Sequence, residues 1–200
     1  LLLRGVLGGQ AHTVVVEKDG KEVETLRGRF IVIATGSEPK ALPHIRFDGE
    51  RVLSSTHMLG LAAPPKTLAV IGAGAVGVEF ASVYADLGSK VTLIEMLPHL
   101  LPIEDEEVSQ ELEKAFKKRK IAYHVGSVVQ SVEPRPDGAA LSVKDAAGKV
   151  QEIVAEKVLL AVGRAPYTAG LGLEAIGLAT ERGCVPVNEF CQTRIPHIYA

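Results

Sequence analysis

The amino-terminal part of the chain alternates apolar and polar positions with a period of two. Thr13–Glu17 and Arg29–Ile33 are rich in β-branched residues and predict strands, with the Asp19–Gly20 turn between them. A buried strand is predicted to run into the loop Ala34–Pro39, which contains Gly, Ser and Pro. The double proline in Ala63–Lys66 interrupts regular structure, so a boundary is predicted there.

Beyond this boundary the pattern changes to alternating strands and helices. Apolar runs predict strands over Thr67–Ile71, Val91–Glu95 and Ile121–Val125. Two helices are predicted between them, one ending at Gly88 and one covering Pro102–Lys120. Helical spacing predicts their core-facing residues, which are Val76, Phe80, Val83 and Leu87 on the first helix and Val108, Leu112 and Phe116 on the second.

The segment Ser127–Val154 returns to a period of two and predicts a β-meander, after which Lys157–Val162 predicts a further buried strand. Strands that alternate with helices form parallel sheets through right-handed crossovers. The predicted fold is therefore α/β, a Rossmann-like parallel sheet with helices on both faces and a β-meander.

A GxGxxG sequence lies between the predicted strand Thr67–Ile71 and the helix after it. It consists of Gly72, Ala73, Gly74, Ala75, Val76 and Gly77. Alone this motif is weak, but a strand before it and a helix after it are the context that a dinucleotide-binding loop requires. Gly72 permits the tight turn, Gly74 lets the backbone approach a pyrophosphate, and Gly77 lets helix and strand pack closely. The helix amino terminus offers N–H groups to the phosphates.

A carboxylate ends the next predicted strand. Glu95 lies about 20 residues beyond the loop, the separation expected for the acid that binds the adenosine ribose hydroxyls. Such a carboxylate repels a 2′-phosphate, and the following residues Met96–His99 include no arginine to hold one. The sequence therefore predicts NAD rather than NADP.

Composition excludes several classes of function. The chain is 46% hydrophobic with a net charge of −2, which favours a packed core and gives no bulk attraction to nucleic acid. No apolar run approaches the ~20 residues of a membrane helix. Two cysteines without a secretory leader favour a reducing, cytoplasmic compartment. The six histidines and two cysteines show no metal-site spacing, and no catalytic residue can be assigned.

Four stretches resemble the pyridine nucleotide-disulfide oxidoreductases in order and spacing. They are Ile33–Pro39, Val70–Glu79, Ala161–Thr168 and Thr193–Ala200. The resemblance is strongest to the members that oxidise dihydrolipoamide with NAD. It implies that residues 1–48 and 166–200 are two portions of an FAD-type domain, and that residues 49–165 form an NAD-binding domain between them.

The resemblance also implies individual site residues. Glu79 would lie near the nicotinamide, and Val128 and Gly163 would line the NAD cleft. Gly5 and the loop of Thr35, Gly36 and Ser37 would contact FAD. On the residues alone, Glu79 near the start of a helix is equally well explained as a favourable partner of the helix dipole.

The family's redox disulfide has the spacing CxxxxC, which Cys184 and Cys191 do not match, so buried structural thiols are expected. Because Leu1 is not a start methionine and Ala200 follows a β-type run, the chain is expected to be an inactive portion of a longer protein. The parent protein is expected to be a homodimer associated with 2-oxo acid dehydrogenase complexes. Alternatives are a mercuric reductase, a transhydrogenase, an NADH oxidase, or a nucleotide-binding fragment without activity.

Overall fold

The computed structural model describes residues 4–7 and 12–200, and the chain forms two compact units. The central unit is Pro39–Arg164, and the flanking unit combines Leu1–Glu38 with Ala165–Ala200. Residues 39–48, which the sequence assigned to the FAD-type portion, fall in the central unit. Ile45 is 3% exposed in that unit's core and packs with Val52, which explains this placement.

The central unit contains three helices, a parallel sheet and an antiparallel sheet. Its helices are α1 (Ser55–Leu59), α2 (Ala75–Asp86) and α3 (Glu106–Lys118). The parallel sheet consists of β6 (Val52–Leu53), β7 (Thr67–Ile71), β8 (Lys90–Ile94), β9 (Ala122–His124) and β13 (Lys157–Leu160). The antiparallel sheet consists of β10 (Val128–Arg135), β11 (Gly138–Lys144) and β12 (Val150–Ala155).

The parallel strands follow the order β6-β13-β7-β8-β9, so the return strand β13 lies beside β7, the strand that precedes the glycine loop. The predicted α/β class, parallel sheet and meander are confirmed. The sequence predicted helices on both faces of the parallel sheet, but only one face is covered by helices. Side chains of α1, α2 and α3 share one core with Val70 and Leu93, whereas the meander packs on Ile71 and Ile94 of the other face.

Helix α2 buries a different stripe from the predicted one. Val83 and Leu87 are 54% and 57% exposed, and the buried positions are Gly77, Val78, Ala81 and Tyr84. Small residues at Gly77 and Ala81 let the helix backbone approach the sheet closely, so the face that carries Val83 and Leu87 points away from the core. Helix α3 is similar, because Val108 is 51% exposed and Ser109 is buried in its place, while the predicted Phe116 is confirmed as a core residue.

The flanking unit contains an antiparallel sheet and a short parallel pair. Strands β1 (Arg4–Leu7), β2 (Thr13–Lys18) and β3 (Lys21–Arg27) form the sheet, and β4 (Ile31–Val32) pairs with β15 (Ile198–Tyr199). Short strands β5 (Ser37–Pro39) and β14 (Arg164–Pro166) lie where the chain passes between the units. The Asp19–Gly20 turn is confirmed, but it leads into β3, a strand that was not predicted because all its residues are exposed.

Candidate functional site: the glycine loop of the central unit

The glycine loop begins where β7 ends, at the carboxyl edge of the parallel sheet. Gly72 has a φ of +97° and donates its N–H to the carbonyl oxygen of Ile94 at 2.8 Å. A Cβ atom at this position would lie 2.5 Å from the Ala161 carbonyl oxygen of the neighbouring strand segment. Both the left-handed backbone and this close approach require glycine.

The other two glycines differ in what surrounds them. A Cβ on Gly77 would collide with the Gly72 carbonyl oxygen, so Gly77 allows the helix to close over the loop. Gly74 has nothing within 4 Å of the position of a Cβ atom. The loop therefore leaves an open space beside the Gly74 backbone, the space that a bound group would enter.

The amino terminus of α2 faces this open space. Gly74 is the N-cap residue and provides no side chain, and the first turn contains no acidic residue. The first N–H groups of a helix have no partner within the helix, and they carry the positive end of its dipole. Ala75 and Val76, which begin the helix, are exposed and half-buried respectively. This arrangement suits a pyrophosphate.

Glu95 follows β8 and is buried against the loop, with 6% of its surface exposed. Its Oε2 accepts a hydrogen bond from the Ala73 N–H at 2.7 Å, and its Oε1 accepts one from the Leu97 N–H at 2.9 Å. The backbone of Glu95 pairs with His124 and with Ser127 at 2.8 Å in both cases. The carboxylate is thus held beside the first residues of the glycine loop.

Other predicted NAD-cleft residues lie in the same unit. Val128 begins β10, directly after the Ser127 that pairs with Glu95, and is 48% exposed. Gly163 follows β13, the neighbour of β7, with a φ of +113°. Glu79 is exposed on α2. Parallel strands place their carboxyl ends at one edge of a sheet, and both the glycine loop and Gly163 follow the carboxyl ends of neighbouring strands.

Sequence reasoning did not identify two contributors to the loop. The Leu97 N–H bonds the Glu95 carboxylate, and the Leu101 N–H donates to the Ala73 carbonyl oxygen at 2.8 Å. Both are backbone groups of the segment after β8. Such contacts depend on the path of that segment rather than on side-chain identity, so the residue pattern contains no signal for them.

The residues predicted to contact FAD lie in the flanking unit. Gly5 is in β1, paired with Val16 of β2. The Thr35 hydroxyl donates to the Tyr167 carbonyl oxygen at 2.5 Å, and the Tyr167 N–H donates to the Gly36 carbonyl oxygen at 2.9 Å. Gly36 has a φ of +75°, and Thr35, Gly36 and Ser37 are all exposed. These hydrogen bonds hold the 35–37 loop in a fixed conformation at the surface of the unit.

The expectation of buried cysteines is wrong, because Cys184 and Cys191 are both exposed. Cys184 closes a tight turn through two backbone hydrogen bonds with Glu181, and Cys191 has a φ of +58° in a loop held by the Asn188 side chain. Over residues 4–7 and 12–200 no group of three or more His, Cys, Asp or Glu side chains is arranged to hold a metal ion. None of the helices described here has the length and apolarity to span a membrane.

Fold and loop together define an α/β unit of the Rossmann type, and comparison with known proteins identifies its family. The sequence profile described as pyridine nucleotide-disulphide oxidoreductase matches residues 5–200. Dihydrolipoyl dehydrogenase 3 of Pseudomonas putida is 41% identical over 196 residues, which are 98% of this chain and 42% of that protein. The chain belongs to the pyridine nucleotide-disulphide oxidoreductase family, and the resemblance found in the sequence is confirmed.

Two solved structures are similar to the chain along nearly its whole length. LpdA from Mycobacterium tuberculosis is 30% identical with a TM-score of 0.84, and the match covers 98% of this chain and 43% of LpdA. The Cu(II) complex of the HOCl-induced flavoprotein disulfide reductase RclA from Escherichia coli is 27% identical with a TM-score of 0.82, again covering 98% and 43%. The chain spans about two fifths of the length of these relatives.

Proposed function

We propose that the central unit binds NAD(H) at the glycine loop. The observation that carries this proposal is the position of the Glu95 carboxylate, 2.7 Å from the Ala73 N–H of the loop. A pyrophosphate would lie in the open space beside Gly74, at the amino terminus of α2, and the adenosine ribose would lie against Glu95. The nicotinamide would extend toward Glu79, Val128 and Gly163.

The same carboxylate supports a preference for NAD over NADP. A carboxylate has about four lone-pair sites, of which the N–H groups of Ala73 and Leu97 occupy two. The remaining sites are available to ribose hydroxyl groups, which donate. A 2′-phosphate offers only negative charge to a buried carboxylate, so NADP(H) would be repelled.

We assign FAD contacts to the flanking unit, at Gly5 and at the loop of Thr35, Gly36 and Ser37. The hydrogen bonds between this loop and Tyr167 support the assignment, because a cofactor site needs a loop of fixed conformation. In the parent protein FAD would pass electrons between a redox disulfide and the nicotinamide.

For the parent protein we propose dihydrolipoyl dehydrogenase activity, the oxidation of dihydrolipoamide with NAD as acceptor. Similarity to the Pseudomonas putida dihydrolipoyl dehydrogenase supports this substrate. Similarity to RclA supports a second candidate, a flavoprotein disulfide reductase with another electron-accepting substrate. Under the first proposal the parent would act as a homodimer within 2-oxo acid dehydrogenase complexes.

The two candidates are separated by assaying the protein that contains this chain. Dihydrolipoamide-dependent formation of NADH, followed by its absorbance, supports the first candidate. NADH oxidation by disulfides, metal ions or oxygen without dihydrolipoamide-dependent NADH formation would support the second. Reduction of NADP at the rate of NAD under the first candidate, or oxidation of NADPH at the rate of NADH under the second, would contradict the nucleotide assignment.

A further inference from the structure

The Glu95 carboxylate connects two separate backbone segments. One hydrogen bond reaches Ala73 in the glycine loop, and the other reaches Leu97 in the segment that follows β8. The carboxylate is 6% exposed, and no side-chain cation bonds to it among the described residues. A carboxylate removed from water in this way requires charge-assisted N–H donors to offset its lost hydration. Its two donors are both backbone amides of the site.

The segment after β8 contacts the same loop residue again. The Leu101 N–H donates to the Ala73 carbonyl oxygen at 2.8 Å, so both polar groups of the Ala73 backbone are bonded from this side. Gly72, one residue earlier, is held by the bond from its N–H to the Ile94 carbonyl oxygen. Among these bonds only the one from the Ala73 N–H is made to a side chain, so it is the one that a substitution can remove.

We propose that Glu95 is a positioning residue that holds the glycine loop in its nucleotide-binding conformation before any nucleotide arrives. The expected effect of Glu95 on nucleotide binding rests on the proposed NAD site, whereas its expected effect on the loop conformation does not. One lone-pair site of the carboxylate accepts from Ala73 in the loop and one accepts from Leu97 after β8, which leaves two sites for ribose hydroxyl groups. One side chain thus both orders the phosphate loop and selects the sugar.

This second role has a consequence for nucleotide specificity. If Glu95 acted only on the ribose, replacing it would weaken NAD binding and leave the phosphate loop intact for NADP. Because Glu95 also holds Ala73, its removal loosens the loop that both nucleotides need. Replacing Glu95 alone is therefore expected to weaken binding of both cofactors rather than to exchange one for the other.

Amide hydrogen exchange of the chain without nucleotide tests the role in the loop directly. In the unsubstituted chain the N–H groups of Ala73 and Leu97 should be protected, and rapid exchange at both would refute the proposal whatever a variant does. In Glu95→Gln, which keeps the shape but turns an NH₂ group toward one of the two donors, at least one of these amides should exchange about tenfold faster. The Ile121 N–H, bonded to the Phe116 carbonyl oxygen in the core away from the loop, reports whether the fold is retained.

A titration with two nucleotides tests the consequence for binding. ADP and 2′,3′-dideoxy-ADP share the pyrophosphate, but only ADP has the ribose hydroxyls. Glu95→Gln should weaken both by several-fold, with Glu107→Gln on the exposed surface of α3 as the matched control. Unchanged dideoxy-ADP affinity would limit Glu95 to the ribose and overturn the proposal. Faster exchange at Ala73 in a chain that binds neither nucleotide would support the role in the loop and contradict the proposed NAD site.

Discussion

Gly77 lies directly over the carbonyl oxygen of Gly72, so close that a Cβ atom on Gly77 would collide with that oxygen. Gly74, between them in sequence, has no neighbour within 4 Å of its Cβ position. The three glycines of one motif thus meet different demands. Gly72 and Gly77 are required by the packing of the protein itself, whereas the packing places no such demand on Gly74.

The open space predicts that Gly74→Val will fold but lose dinucleotide binding. The backbone of Gly74 is extended (φ −70°, ψ −177°), which valine adopts readily, and the loss of a good N-cap residue costs at most about 1 kcal/mol. The branched side chain would occupy the place of the pyrophosphate. Circular dichroism and NAD titration check this, with Ala115→Val on the exposed face of α3 as control. A folded Gly74→Val chain that binds NAD normally would refute the loop assignment.

The close contact predicts the opposite behaviour for Gly77→Ala. The added methyl group forces α2 away from the Gly72 carbonyl, and overpacking of this kind costs about 1–3 kcal/mol. Urea denaturation should therefore show a lower midpoint for Gly77→Ala than for Gly74→Val. Equal stability of the two variants would show that α2 accommodates the methyl group without a cost in free energy. That result would contradict the close packing of Gly77 on Gly72.

A pair of stacked histidines in the flanking unit predicts a pH dependence of stability. The rings of His12 and His197 are 3.8 Å apart at 22°, and His12 Nδ1 donates to the Arg29 carbonyl oxygen at 3.0 Å. Burial, and then the charge of His12, lower the pKa of His197 below its ordinary value. Between the lowered and the ordinary pKa the unfolded chain binds more protons than the folded one. The contribution of His197 to the free energy of unfolding is therefore complete above pH ~6.5, and it is lost as the pH falls toward the pKa of the folded state.

Two measurements check this pH dependence. Proton NMR should place the titration of His197 below that of a model histidine, and urea unfolding should show a lower free energy of unfolding at pH 5.5 than at pH 7.5. His197→Asn should reduce that difference. Arg29 accepts from His12 through its carbonyl oxygen, and its guanidinium lies over the Phe30 ring, so Arg29→Gln serves as the control for a general charge effect. If His197→Asn shows the same difference in free energy of unfolding between the two pH values, the histidine pair is excluded as the source of the pH dependence.

Sequence patterns predicted the elements around the loop well, because each has a local signal. The strand Thr67–Ile71 matches β7 residue for residue, and the glycines that follow it determine where α2 begins. Glu95 was selected from its separation from the loop, and its carboxylate lies 2.7 Å from the Ala73 N–H. These features depend on spacing along the chain, which the sequence contains directly.

What the sequence did not predict depends on tertiary packing. Helical spacing selected Val83 and Leu87 as core residues of α2. In the structure the helix instead packs on the sheet through the face that carries Gly77 and Ala81. Strand β3 is exposed along its length, so no apolar alternation marked it. Cys184 is exposed and lies in a turn closed by backbone hydrogen bonds with Glu181. Because these bonds do not involve side chains, the amino-acid composition did not predict them.

The central claim, that the glycine loop and Glu95 form an NAD site, is tested most directly by calorimetric titration of the chain with NAD and NADP. The Glu95 carboxylate is buried beside the loop and can accept ribose hydroxyls, whereas a 2′-phosphate would meet it without an arginine in Met96–His99 to hold it. We expect NAD to bind at least about tenfold more tightly than NADP, a difference of about 1.4 kcal/mol. Equal affinity, tighter binding of NADP, or no binding of NAD would contradict the account.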